Sequence, residues 1–255
     1  MSILKYTTSA LVATPLLALS SQALAVTPDD EGWQAEVEIG LLIRTGNTES
    51  ESWKGKLNLE REVNLWRHQG TFDYYRQETE NLEGESAVDA DRFFASAQTN
   101  RKFEEDSNSS LFIYGSYEDD RFSSYDYQST IAAGYGNRYT WAEDLYADFE
   151  IGPGYSYNKR RDTGEAEGDM IVRLAGRLNW NITETSRFTQ SVSTEVGDDN
   201  VRTRAVSALT ANINSALALR VSLTLNHNDT VYEQASGRMP EKLDTETAVT
   251  LVYNF

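Results

Sequence analysis

The sequence predicts an all-β chain closed into an antiparallel transmembrane β-barrel of about twelve strands. Three observations lead there: a short apolar leader at the start, an alternation of period two through nearly all that follows, and a last residue that is aromatic.

The leader comes first. Lys5 supplies a positive start, Ala10 to Leu19 a short apolar stretch, and Ala23-Leu24-Ala25 a small-x-small cleavage site, so residues 1–25 read as a signal peptide and 26–255 as the barrel. The competing reading, a membrane helix, needs roughly twenty apolar residues. The apolar part here spans only residues 10–19. Without the leader the chain keeps 22 basic and 40 acidic residues, a net charge of −18. That balance argues against nucleic acid or an anionic surface as partner, since both need basic patches. There is no cysteine, hence no disulfide, thiolate or cysteine metal site.

The alternation begins with Trp33, Ala35, Val37, Ile39, Leu41 and Ile43 on one face, against Gln34, Glu36, Glu38, Gly40 and Arg44 on the other. Leu42 breaks the pattern on the polar side. Similar two-faced runs place strands at 33–43, 51–61, 67–77, 90–101, 110–119, 126–139, 145–157, 168–180, 186–197, 201–213, 217–229 and 243–255. Most reach the nine to eleven residues that a tilted membrane strand requires, whereas a soluble sandwich uses strands of about five or six. A composition without linkers or shifts gives one domain.

If the chain starts on the periplasmic side, odd-numbered connections face outward, and 78–89, 158–167 and 230–242 are long. Most even-numbered connections are tight. Trp33, Trp66, Trp141 and Trp180 then share one rim and read as an interfacial aromatic girdle, with turn-capping aromatics as the plainer alternative. At the end, Val249, Leu251, Tyr253 and Phe255 form an apolar face. Tyr253 and Phe255 are similar to the terminal signal by which outer-membrane proteins engage their assembly machinery. Pro153 fits badly, because it brings no N–H to the ladder, and predicts a bulge. A phosphate loop at Gly152 and Gly154 lacks the third glycine, the basic residue and the helix.

Chemistry is sparse. With only His68 and His227, the one serious enzyme candidate is an outer-membrane lipid hydrolase using His227. Its expected outward neighbours, Thr203 and Thr245, include no serine, so no catalytic residue is assigned and both histidines read as interface residues. The acidic runs Glu104-Glu105-Asp106, Glu118-Asp119-Asp120 and Asp198-Asp199-Asn200 lack the spacing of a calcium loop and read as wet turns near lipopolysaccharide. No metal or cofactor is expected. The polar face says more: Lys54, Lys56, Arg92, Arg173, Arg177, Arg202, Arg204 and Arg220 lie there with Glu36, Glu38, Glu60, Asp73, Asp148, Glu150, Glu195, Asp244 and Glu246. These residues would line the lumen, either along a narrow aqueous path or as a salt-bridged plug.

Four segments carry a family resemblance: Glu38-Ile39-Gly40-Leu41-Leu42-Ile43-Arg44-Thr45-Gly46-Asn47-Thr48, Gly152-Pro153-Gly154-Tyr155, Arg173-Leu174-Ala175-Gly176 and Asp244-Thr245-Glu246-Thr247. The chain resembles the salt-induced outer-membrane protein family, whose function is unknown. The resemblance implies an outer-membrane barrel of a Gram-negative bacterium, linked to salt or osmotic stress, surrounded by lipid and lipopolysaccharide and inserted by the barrel-assembly machinery. It brings no catalytic residues. A narrow channel for ions or small polar solutes is the leading expectation, and a non-conducting structural or surface-binding barrel the alternative.

Overall fold

Twelve antiparallel strands close on themselves, each bonded to its neighbours in sequence and the last to the first. They are β1 (Gln34–Arg44), β2 (Glu49–Val63), β3 (Trp66–Glu80), β4 (Ser86–Lys102), β5 (Ser109–Asp120), β6 (Tyr125–Ala142), β7 (Leu145–Arg160), β8 (Ala166–Thr183), β9 (Ser186–Val196), β10 (Val201–Asn212), β11 (Leu217–Asn228) and β12 (Leu243–Asn254). The structure, a computed structural model, describes residues 32–44, 49–80, 86–234, 237 and 239–255. The leader lies outside them, as do the tip of the first hairpin and the side chain of Leu42.

The strand ends fall within four residues of those expected from alternation. The connections differ more. Of the three expected long ones, only the last stands, as 229–242. β3 and β4 run on until 81–85 alone separates them, and β7 and β8 until only 161–165 remains. The cause is physical: where a strand leaves the apolar band both of its faces are wet, so the sequence loses its alternation while the backbone ladder continues.

Side chains are sorted inside out relative to a water-soluble protein. Ile39, Ile131, Met170 and Val249 are 60 to 67% exposed on the outer wall, while Glu38 and Asp73 are 1 and 2% exposed within. A continuous outward apolar band is what a lipid-facing wall requires, and closure satisfies the edge groups that hydrocarbon cannot. Among the described residues no helix is long and apolar enough to cross a membrane. The rim where β1 begins and β12 ends, here the terminal rim, has two-residue turns at 64–65, 143–144 and 184–185. Asn64 adopts a φ of 51° in the first, a conformation that asparagine tolerates better than most residues.

Pro153 makes no bulge. Its pairing with Val172 of β8 is regular, and the register with β6 is the same on either side, at Ala132↔Gly154 and Tyr135↔Ile151. What yields is the ladder between those pairs. The missing N–H leaves a gap toward β6, and glycines on both strands let the backbones close in around it. A Cβ on Gly152 would lie 2.2 Å from the Ala133 carbonyl oxygen, and one on Gly134 2.1 Å from that of Ile151. Shifts of register occur elsewhere, at Gln77/Glu78, Tyr125/Tyr127, Thr140/Ala142 and Asn181/Thr183.

Candidate functional site: the lumen

Period two carries the charged residues expected inside to the lumen face, most of them alternating with outward apolar neighbours. Closure then brings together strands that are distant around the ring. Asp73 of β3 accepts from Lys54 at 3.1 Å and from Arg204 of β10 at 3.1 Å, with Arg92 of β4 at 3.8 Å. Arg202 of β10 donates to Glu118 of β5 at 2.9 Å and lies 4.0 Å from Glu195, which accepts from Thr130 at 2.8 Å. Glu246 of β12 joins Lys54 and, at 2.8 Å, Arg92. β10 stands five strands from both β3 and β5 in a ring of twelve, so the pairs Arg204–Asp73 and Arg202–Glu118 cross the lumen directly.

Nearer the terminal rim, Arg220 reaches Glu38 and, at 3.0 Å, Glu36, while Lys56 lies 3.7 Å from Glu38. Asp148 is held by Arg67 at 3.1 Å and Arg138 at 2.8 Å. Glu150 accepts from Gln98 at 2.6 Å and Asn100 at 3.0 Å, with Arg173 3.5 Å away. Arg177 and Glu60 line open space there, and Asp244 lines a small recess at the opposite, loop rim.

Described residues line a cavity on each side of the cross-lumen pairs. Toward the terminal rim a cavity of about 310 Å³ runs from Gln34, Asn179 and Arg187 to Arg204. Toward the loop rim, a recess of about 20 Å³ lies between Glu118, Arg202, Asn228 and Asp244. That side carries a further cover. Residues 229–234 leave β11 and bond to the facing β5–β6 turn. Ser124, 3% exposed, donates to the Tyr232 carbonyl at 3.0 Å and accepts from its N–H at 2.7 Å. Gln234 donates to the carbonyls of Phe122 and Ser123 at 3.1 and 2.9 Å. The Arg160 guanidinium sits 3.7 Å above the Tyr232 ring, and Thr230 is tied to Asn200 at 2.9 Å.

Several lumen residues escaped the sequence reading. Glu118, read there as part of a wet acidic turn, is a buried strand residue crossing to Arg202. Its signal was available, because it continues the inward series of Phe112, Tyr114 and Ser116. Arg67 and Arg138 sit close to tight turns, where alternation is too short to orient them. The partnership of Tyr232 and Gln234 with the β5–β6 turn has no local signature, because it joins residues more than a hundred positions apart.

On the outer wall, Trp33, Trp66, Trp141 and Trp180 all stand exposed at or near the terminal rim. His68 stacks on Trp66 with ring centroids 6.1 Å apart, and Arg61 and Arg101 lie 5.9 Å over Trp33 and Trp66. Tyr253 and Phe255 make an edge contact at 4.5 Å. His227 pairs across strands with Thr203, as expected, and with Leu243 in place of the expected Thr245. Asn228 turns inward to Asn200 at 3.0 Å. Among the described residues no group of His, Asp and Glu has the arrangement of a metal site.

A family model described as "Protein of unknown function, DUF481" matches residues 37–255, and that description names no salt response. The chain is 25% identical over 222 residues to "Uncharacterized protein YdiY" of Escherichia coli (strain K12), covering 87% of this chain and 83% of that protein. Among solved structures it is similar to the translocator domain of the autotransporter NalP from Neisseria meningitidis, at 8% identity and a TM-score of 0.46, covering 88% of this chain and 86% of that one. It is also similar to the NanC porin, at 12% identity and a TM-score of 0.45, covering 86% and 97% of the two chains.

Proposed function

We propose, taking as premise that the chain belongs to the DUF481 family of proteins of unknown function, that it is a narrow outer-membrane channel for ions or small polar solutes, shut at rest. The observation that carries this reading is the lumen: a polar cavity of about 310 Å³ that opens from the terminal rim and stops at ion pairs crossing from β10 to β3 and β5. A purely structural barrel has no need of a wet interior, and buried ion pairs give weaker stabilisation than apolar packing of the same volume. The pairs are best understood as a closure whose members exchange partners. Asp73 and Glu246 each face several cations, so one pair can break while its members stay compensated.

In this reading the outward apolar band faces outer-membrane lipid, and the four tryptophans mark the periplasmic interface. Tyr253 and Phe255 offer the terminal signal to the assembly machinery, and the loop rim meets lipopolysaccharide. In this reading the protein acts as a conduit. A role in salt or osmotic stress requires that ionic strength reach the crossing pairs.

Planar-bilayer recording of the refolded protein tests the channel. Small, brief unitary openings are expected, little changed by salt while the pairs stay buried, because buried charges are screened much less than exposed ones. Silence at every salt concentration would sink the idea. It would favour the second reading, a non-conducting surface barrel, which the cover formed by 229–234 over the β5–β6 turn supports.

A further inference from the structure

From the girdle to the middle of the wall, the outward positions of the described strands carry two charged side chains, Arg61 of β2 and Arg101 of β4. Both are cations, in a chain whose net charge is −17. They flank β3, where His68 pairs opposite Arg61 and Trp66 opposite Arg101. Each guanidinium lies 5.9 Å over a tryptophan ring, Arg61 over Trp33 and Arg101 over Trp66. His68 sits between the two rings, 6.4 Å from Trp33 and stacked 6.1 Å from Trp66, with the Thr99 hydroxyl 2.9 Å from its Nδ1. Trp141 and Trp180, elsewhere on the girdle, have no guanidinium over them among the described residues.

The patch is placed to meet lipid headgroups. Trp33 and Trp66 stay 49 and 41% exposed beneath their arginines, so these contacts leave the rings open to what surrounds the barrel. An exposed ring face holds a guanidinium weakly, which leaves its N–H fork to a stronger acceptor. Arg101 is exposed and makes no ion pair among the described residues. The nearby acids are turned elsewhere: Glu62 pairs with Lys102, and Glu105 and Asp106 border a space shared with Arg67 and Arg138. At the depth of an aromatic girdle, the acceptor that a lipid leaflet supplies is the phosphodiester, whose two free oxygens match the fork.

We propose that Arg61 and Arg101, on the shelf of Trp33, His68 and Trp66, form a binding surface for the headgroup of an anionic phospholipid in the leaflet that meets the terminal rim. The inference rests on reading the outer wall as lipid-facing, and it needs no open lumen. The arginines stand on either side of β3 and act separately. Arg101 takes the phosphodiester through its fork, and Arg61 faces the charge that the rest of the headgroup, or the neighbouring lipid, carries. A zwitterionic headgroup brings its own ammonium toward the second guanidinium, which repels it. An anionic headgroup brings none, so the two cations together select for net negative charge.

Tryptophan quenching in vesicles tests this. The full chain carrying Trp53→Phe, Trp141→Phe and Trp180→Phe keeps Trp33 and Trp66 as reporters. It is refolded into phosphatidylcholine vesicles that contain rising mole fractions of brominated phosphatidylglycerol or brominated phosphatidylcholine, and shown to be a barrel by heat-modifiable gel mobility. Half-maximal quenching is expected at an about fivefold lower mole fraction of the anionic lipid, the equivalent of one basic residue's attraction to an anionic leaflet. Adding Arg61→Gln and Arg101→Gln should abolish the difference. A companion chain with Trp33→Phe, Trp53→Phe and Trp66→Phe reports from Trp141 and Trp180, where the two lipids should quench alike. Equal quenching by both lipids at Trp33 and Trp66 overturns the proposal and leaves the lipid-facing wall standing. So does a preference that survives the arginine changes or recurs at Trp141 and Trp180. A folded barrel quenched by neither lipid overturns both.

Discussion

Asp73 shows how far a single carboxylate can be committed inside this barrel. Only 2% exposed, it meets Lys54, Arg92 and Arg204, which arrive from three different strands. Removing it leaves three buried cations to share Glu246 and Glu118, and an uncompensated buried charge is where large losses arise. Asp73→Ala should therefore lower stability by about 3 to 5 kcal/mol in urea unfolding from lipid vesicles, and a loss below about 1 kcal/mol would show that water already screens this site. Period two made the inward side of Asp73, Arg204 and Glu246 readable from the sequence. Their mutual contact was not readable, because it depends on ring closure and on long side chains reaching across it.

At the scale of elements, the meeting of β6 and β7 is the place where sequence and structure part in an instructive way. Pro153 removes a ladder hydrogen bond, and the expected remedy was an extra residue. The remedy used is proximity: Gly134, Gly152 and Gly154 let the two backbones approach until any Cβ would collide. Gly152→Ala places a methyl 2.2 Å from a backbone oxygen that no rotamer change can move. The expected cost is about 1 to 3 kcal/mol, with strand content by infrared spectroscopy preserved. An unchanged unfolding midpoint would mean that the strands can separate without loss. The strands themselves were legible because their outward faces are mostly apolar, with polar residues such as Gln190 and Ser207 only at intervals. Their extensions beyond the band were not, and 78–80, 86–89 and 158–160 read as loop although they are strand.

For the whole molecule, the central matter is what closes the lumen. The fold, the strand number and the inward charges follow from alternation and closure alone. Whether those charges line a path or fill it depends on side chains meeting across the ring. The structure places two ion pairs across it, with a cavity of about 310 Å³ on the terminal side. The 229–234 segment adds a second closure at the loop rim, tied to Ser124.

The measurement that bears most directly on this account compares single-channel conductance of the parent chain with that of a variant carrying Asp73→Ala, Glu118→Ala, Arg202→Ala and Arg204→Ala. The four changes remove both partners of each crossing pair and leave the net charge as it was. If ion pairs hold the channel shut, the variant, folded by gel mobility, shows sustained openings where the parent shows brief ones. A variant that folds and stays as quiet as the parent would contradict the account.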